Sequence, residues 1–326
     1  MANTYLETVG DRADSIHLAI RRVPMSAVYY EYLKTLQIMD RRSNFSAHDA
    51  VLAFDCTDED FYGRLNGIWM HAWTGEHAVM GKFRFLTCSL VSHDVPEKVP
   101  LLSIPVHAGN NMAVDVCYCL SLVRPLLRSV RLVLFDRGFH NNELMLMLSH
   151  MSIPYLLFLR KTAVVKRELA GMLQDERKTV DCSFSVNVNK TVMKGETTVP
   201  FLRKIFEKIL GKRMDWCFAT NRQEIDLDSI VQTYRGRWNM ERGFRVQDEA
   251  TIRSKSKDVW IRFFLFAYEQ ELQLIWSVFY REDVQFKQFF LQLSETCTGR
   301  LRRAEERAAN REAAEQKESD ALIFHV

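Results

Sequence analysis

Two short apolar runs in the chain each end on an aspartate. One run, residues 51–54, precedes Asp55, and the other, residues 130–135, precedes Asp136. Runs of this length that are rich in Val, Leu and Phe and are followed by polar residues or glycine are typical of buried strands in a covered sheet. Open α/β sheets place their ligands at the carboxyl ends of such strands. The pattern therefore predicts two strand ends that carry candidate ligands.

The remaining hydrophobic pattern predicts a mixed α/β core followed by a β-rich segment. Further strands are predicted at 83–91, 100–107 and 154–159, and helices at 112–128 and 141–151. Positions 136 and 241 are 105 apart (241 − 136), which is more than one helix, one strand and a connection need. The excess predicts a small β-rich insertion at about 177–222, with strands at 180–188, 197–202 and 216–220 and a helix near 201–211.

Composition narrows the class of protein. The 326 residues are 47% hydrophobic and carry a formal net charge of +3. This content is sufficient for a folded core, whereas the charge excludes a strongly basic protein that coats DNA without specificity. DNA contact would have to come from local basic clusters such as 160–167, 203–213 and 253–257, and each of these is equally compatible with a solvated helix face.

Cysteine usage and hydropathy indicate a cytoplasmic protein. The seven cysteines are odd in number and form no CxxC pair, which argues against a disulfide framework and a structural zinc site. The first residues lack the apolar region of a signal peptide. Charged residues interrupt the most apolar stretch, 259–280, at Arg262, Glu269 and Glu271, so this stretch is predicted to be a core helix and not a membrane span.

A later segment predicts a helix with chemistry on one face. At about 100° per residue, Tyr234, Arg237, Glu241 and Arg245 fall within roughly 80° of each other. A carboxylate is thereby flanked by two cations and a phenol. Two or three carboxylates can hold a pair of Mg²⁺ ions on the attacking and leaving oxygens of a phosphodiester, and neighbouring arginines suit phosphate contact.

These residues resemble the signature of DDE transposases of the IS-four-like group. Residues 234–241, Tyr-Arg-Gly-Arg-Trp-Asn-Met-Glu, match the Y-x2-R-x3-E part of that signature, and Asp55 and Asp136 resemble the first and second aspartates of the group. The resemblance spans 51 to about 280. One departure lies at Asp248, where the group carries a lysine seven residues past the glutamate; Arg245 keeps one cation on that face.

The resemblance implies a fold, a site and partners. The fold is α/β, a ribonuclease-H-like mixed sheet flanked by helices, with the β-rich insertion before the helix of the catalytic glutamate. Asp55, Asp136 and Glu241 are expected to bind two Mg²⁺ or Mn²⁺ ions, and Tyr234, Arg237 and Arg245 to contact DNA. The expected partner is double-stranded DNA, both element ends and target, bound by a homodimer, with no membrane and no small-molecule substrate.

The expected activity is cleavage at insertion-sequence ends and strand transfer into target DNA. Two alternatives stay open: a nuclease of the same fold without strand transfer, and a truncated, non-catalytic regulator that binds DNA. The expected organisation is a short helical N-terminal segment at 1–50, a catalytic domain at 51–295, and a charged helical or disordered tail at 296–326. The shortness of the first segment favours the regulator, whereas the three acidic residues favour the enzyme.

Overall fold

The computed structural model describes residues 13–64, 67–72, 79–92, 99–173, 176–188, 190–207, 212–222, 227–237, 252, 254 and 256–323. One mixed sheet contains all nine strands of the described residues. The strands are β1 (Asp49–Phe61), β2 (Met70–Ala72), β3 (Gly81–Leu90), β4 (Val99–Val106), β5 (Ser129–Phe135), β6 (Tyr155–Phe158), β7 (Arg177–Val188), β8 (Thr191–Glu207) and β9 (Lys212–Thr220). The α-helices are α1 (Ala13–Arg22), α2 (Met25–Ser43), α3 (Met112–Val123), α4 (Asn142–His150), α5 (Ala163–Ala170), α6 (Leu227–Arg235), α7 (Val259–Phe279) and α8 (Phe286–Ile323).

The central strands lie in the order β4-β3-β1-β5-β6. β1 pairs antiparallel with β3 and parallel with β5, and β6 runs parallel to β5. Three antiparallel strands followed by two parallel ones, each reached through a helix, form the ribonuclease-H-like sheet that the resemblance implied. The predicted fold class is therefore confirmed.

The β-rich segment before α6 continues this sheet. β7, β8 and β9 are antiparallel neighbours, and β9 pairs with β6 through Leu156↔Thr220 and the two following pairs. The predicted helix near 201–211 is wrong for residues 201–207, which belong to β8. Pairing with β7 and β9 determines the conformation here, because a strand's partners outweigh local propensity.

Both faces of the central strands are covered, which explains their nearly continuous apolar sequence. On β1, Leu52 and Phe54 join the main core with residues of α3 and α4, whereas Val51 and Ala53 join a second cluster with residues of α6. Helix α7 packs its apolar residues on β3 through a third cluster. In the part of the chain that the structure describes, no helix is both long and apolar enough to cross a membrane.

Candidate active site

Asp55 and Asp136 lie side by side on neighbouring parallel strands. The residues before them, Phe54 and Phe135, pair in register, and their rings stack with centroids 5.5 Å apart. Adjacent strands are about 4.8 Å apart, so the two aspartates continue the same row across β1 and β5. The sheet thus places two predicted site residues together, although they are distant in sequence.

The two aspartates differ in local structure. Asp136 leaves β5 and caps a short 3-10 turn, Arg137–Phe139, where its side chain accepts a hydrogen bond from the Arg137 N–H at 2.7 Å. Asp55 instead lies inside β1, which continues to Phe61. Asp55 therefore sits in a strand whose parallel partner has just ended, and its half-buried carboxylate borders the space that β5 vacates.

The polar residues 56–60 on their own would predict a turn after the apolar run, but the structure continues β1 through them to Phe61. Asp58 accepts two hydrogen bonds from Arg84 at 2.7 and 2.9 Å, and Asp60 pairs with Lys82 at 3.5 Å. These partners lie on β3, so cross-strand charge pairs stabilise a segment that looks unfavourable for a strand on its own.

Arg237 reaches Asp55 from the turn after α6. Its Nη1 lies 3.3 Å from Asp55 Oδ2, and the residue is only 6% exposed. The sequence placed Arg237 on a continuous helix, but α6 ends at Arg235, and hydrogen bonds from Gly236 N to Thr233 O and from Arg237 N to Tyr234 O, both 3.0 Å, form a tight turn. The guanidinium is therefore aimed at the sheet from a helix end.

Glycine at position 236 suits this turn. A Cβ there would lie 3.0 Å from the carbonyl oxygen of Thr233 and 3.5 Å from that of Val91. The absence of a side chain lets the turn close against the residue that follows β3.

Tyr234 anchors α6 to the sheet. It is 2% exposed, and its ring lies 5.0 to 6.0 Å from the rings of Phe158, Trp216 and Phe218. Burial raises the pKa of the Tyr234 hydroxyl, nearby Arg237 lowers it, and Asp136 and Asp55 raise it. Arg237 links the two residues on either side of it, because its Cζ lies 5.7 Å from the centre of the Tyr234 ring and its Nη1 lies 3.3 Å from Asp55 Oδ2. The sequence analysis assigned Tyr234 to DNA contact and did not predict the aromatic cluster around it.

Two predicted site residues, Glu241 and Arg245, lie outside the described residues, as does Asp248. The structure therefore brings together Asp55, Asp136, Tyr234 and Arg237. Among the residues that it describes, no three His, Cys, Asp or Glu side chains form a group that could hold a metal ion.

A row of buried polar groups beside Asp55 escaped the sequence analysis. Asp55 pairs in register with Thr87 on β3, and Thr87 pairs with Ser103 on β4. Gln270 of α7 bridges the last two: Ser103 Oγ donates to Gln270 Oε1 at 2.5 Å, and Gln270 Nε2 donates to Thr87 Oγ1 at 3.3 Å. The feature of the sequence that could have indicated this row is Gln270, a polar residue at helical spacing within the apolar stretch 259–280.

Helix α7 follows β3 in a fixed register. Arg262, Phe266 and Gln270, one turn apart, lie over Phe83, Phe85 and Thr87, which share one face of the strand. Arg262 also pairs with Glu59 of β1 at 3.0 Å. The contacts of Arg262 with Glu59 and of Gln270 with Thr87 therefore connect α7 to the part of the sheet that carries Asp55.

Basic side chains lie close to Asp136. Arg160, which follows β6, donates from Nε to the Arg137 carbonyl at 3.0 Å and ties the two loops together. Burial and the charge of Arg160 lower the pKa of His140, which favours its neutral form. The arginines therefore supply most of the positive charge of the loop after β5.

The described part of the site fits a divalent metal. Asp55 and Asp136 supply hard oxygen ligands, and Mg²⁺ is commonly held by one or two carboxylates together with water and substrate phosphate. The hydrogen bond that the Arg137 N–H donates to Asp136 is accepted by Oδ1 of the carboxylate. The donor set therefore favours a hard cation over zinc or a soft metal.

Comparison with known proteins agrees with this geometry. Residues 97–258 match the family model of the transposase DDE domain. This range includes Asp136, Tyr234, Arg237 and Glu241, and Asp55 precedes it. No curated protein sequence matches the chain.

Two solved structures were compared with the fold. The piggyBac transposase in a synaptic complex with hairpin DNA superposes with a TM-score of 0.52 at 13% identity, over 78% of this chain and 54% of that one. The chain thus spans about half the length of that transposase. The NurA nuclease from Sulfolobus solfataricus superposes with a TM-score of 0.30 at 11% identity, over 72% of this chain and 85% of that one, which is too low to carry an argument. Over residues 97–258 the chain is therefore similar to the DDE domain of transposases.

Proposed function

We propose that the chain is a transposase of the IS-four-like group that cleaves DNA at the ends of an insertion sequence and joins the freed 3′-hydroxyl to target DNA. The observation that carries the proposal is the pair Asp55 and Asp136, adjacent on parallel strands of a ribonuclease-H-like sheet. The match of residues 97–258 to the transposase DDE domain supports it.

Asp55, Asp136 and Glu241 would hold two Mg²⁺ or Mn²⁺ ions. Such ions, when bound, supply Lewis-acid stabilisation to the attacking and leaving oxygens of a phosphodiester. The carboxylates of Asp55 and Asp136 lie on neighbouring strands and repel each other, and the ion pair of Arg237 with Asp55 offsets this repulsion. The aromatic cluster around Tyr234 holds the end of α6 against the sheet, which keeps Arg237 within reach of Asp55.

Double-stranded DNA is the proposed partner, and a homodimer the proposed assembly. The piggyBac transposase, which has a similar fold, is seen in a synaptic complex with hairpin DNA. In this chain, Arg237 and Arg245 are the proposed phosphate contacts beside the carboxylates, and Arg137 and Arg160 add positive charge at the end of β5. Arginine suits this role because its planar fork binds phosphate with two parallel hydrogen bonds.

The test is cleavage and strand transfer with purified protein, Mg²⁺ or Mn²⁺, and duplexes that carry the inverted repeats bounding its gene. Asp55→Asn, Asp136→Asn and Glu241→Gln should each abolish both reactions with unchanged circular dichroism, because each removes a charge that the metal needs and almost no volume. The matched control is Asp60→Asn, which removes the same charge from β1 on its opposite face and should retain activity.

The outcomes separate the alternatives. Joining of a pre-cleaved end to target DNA is expected of a transposase. Cleavage without joining would show a nuclease, and DNA binding without either reaction would show a regulator. Near wild-type cleavage by any one of the three variants would remove that residue from the site.

A further inference from the structure

Both carboxylate oxygens of Asp55 already have partners in the protein. Oδ1 accepts a hydrogen bond from the Cys56 N–H at 2.9 Å, and Oδ2 faces Nη1 of Arg237 at 3.3 Å. Arg237 is buried, whereas the side chain of Asp55 keeps 22% of its surface exposed. The oxygen that faces a guanidinium thus belongs to a residue that is proposed to hold a metal.

A guanidinium and a divalent ion compete for the same carboxylate. Each is attracted by the negative charge of Asp55, and each repels the other at short range in a partly buried site, where screening by water is weak. A metal can approach Asp55 more easily when the charge of Arg237 has moved or has been neutralised. Arg237 should therefore weaken metal binding as long as no other anion is near.

DNA supplies such an anion. A buried guanidinium needs a partner, because an unpaired charge in that environment is costly. A phosphate offers two oxygens to the planar fork and is therefore a strong partner for a guanidinium. Arg237 lies in a turn beyond the end of α6, so its side chain can exchange partners without breaking a helix.

We propose that Arg237 is a metal gate: it pairs with Asp55 in the DNA-free protein and transfers to a backbone phosphate when DNA binds, so that DNA and metal bind with positive coupling. Because Asp55 is a metal ligand only under the proposed function, the gate deepens that function. The coupling is reciprocal, since each ligand must raise the affinity for the other by the same factor. Metal would then be held tightly only where DNA is present.

The experiment measures Mn²⁺ affinity by electron paramagnetic resonance, with and without a DNA duplex. The scissile linkage of this duplex is a non-hydrolysable methylphosphonate, and the phosphate that is expected to contact Arg237 is a different, unmodified one. Wild-type protein should bind Mn²⁺ about fivefold or more tightly with DNA, the lower end of common coupling. Arg237→Gln should bind Mn²⁺ about fivefold more tightly than wild type without DNA, and should gain less from DNA. Arg237→Lys, which keeps the charge, should stay close to wild type in DNA-free affinity.

Two controls keep the result specific. Arg131→Gln removes one positive charge from an exposed residue of β5, five residues before Asp136 and therefore about 17 Å along the strand; its Mn²⁺ affinity should not change. Asp55→Asn should lose Mn²⁺ binding, and unchanged binding in that variant would refute the proposed metal site together with the gate.

The gate alone is refuted by either of two results while Asp55→Asn behaves as expected. One is equal or weaker Mn²⁺ binding by DNA-free Arg237→Gln, which would mean that Arg237 orients Asp55 and does not oppose the metal. The other is equal Mn²⁺ affinity of the wild-type protein with and without DNA, which needs no variant and therefore holds even if Arg237→Gln folds poorly.

Discussion

Replacing Gln270 with leucine should measure how firmly α7 is joined to the strands beside Asp55. The three side chains of Gln270, Thr87 and Ser103 are almost fully buried, and the two hydroxyl oxygens are 2.8 Å apart. Ser103 donates to Gln270 and Gln270 donates to Thr87, so Thr87 donates to Ser103 and the ring closes. Every hydrogen within the ring has an acceptor.

Gln270→Leu opens the ring. Two hydrogen bonds disappear, at about 1 kcal/mol each, and one hydroxyl hydrogen of the Thr87–Ser103 pair keeps no acceptor, which costs about 1–3 kcal/mol. Leucine fills a similar volume and regains part of this loss through apolar contact. The expected net loss in the free energy of unfolding is about 2–4 kcal/mol, which corresponds to a fall in Tm of roughly 3–6 °C for a chain of this size.

The assay is urea unfolding and thermal melting of wild-type and Gln270→Leu protein, with Gln288→Leu as the matched control. Gln288 is exposed on α8, and surface substitutions of this kind usually stay within about 0.5 kcal/mol. A loss for Gln270→Leu that does not exceed the control would refute the closed ring. A second measurement tests the link to Asp55. Under conditions where Gln270→Leu is fully folded, its Mn²⁺ affinity should be weaker than that of wild type, because Thr87 is the register partner of Asp55.

Three other changes test separate parts of the chain. Arg237→Ala should lower the slope of log affinity against log salt for end DNA by about one unit, as for the loss of one phosphate contact; an unchanged slope would leave Arg237 as a partner of Asp55 alone. Asp248→Lys should tighten DNA binding, most at low salt where charges are least screened, and a fall in Tm with flat affinity would show instead that Asp248 orders its own segment. Glu59→Leu should cost about 3–5 kcal/mol because it leaves Arg262 buried and unpaired, and adding Arg262→Met should recover most of that loss, as equilibrium unfolding of the single and double variants would show. Burial raises the pKa of Glu59, and Arg262 opposes that shift. The folded state therefore holds the proton of Glu59 more tightly than the unfolded state, and wild-type stability should fall as pH rises from the unfolded pKa of Glu59 through its folded pKa. Glu59→Gln cannot ionise, so the stability of wild type relative to this variant should fall across the same pH window.

The strands that carry Asp55 and Asp136 could be predicted from sequence because both are buried on two faces. Burial on both sides leaves a continuous apolar run, which a linear pattern reveals. The order of helices and strands from residue 83 to residue 159 was predictable for the same reason, since each element has its own periodicity. The family signature then connected these elements, because it records residues that act together in space.

Local sequence failed where partners come from other strands. The acidic residues 55–60 resemble a turn, yet Arg84 and Lys82 of β3 and Arg262 of α7 pair with three of them and make the extended conformation favourable. Residues 201–207 show an equivalent error, because the pairing of β8 with two neighbours overrides its helical propensity.

The sequence by itself determined which segments are buried, where the two aspartates end apolar runs, and which chemistry their combination with residues 234–241 suits. Only the tertiary structure decided what each side chain meets. Arg237 contacts Asp55 across 182 positions, which its predicted role in DNA contact did not indicate, and Gln270 joins two strands that lie more than 160 residues earlier. Hydrophobic periodicity is a property of neighbouring residues and survives in one dimension, whereas charge pairing and polar satisfaction depend on which distant elements the sheet brings into register.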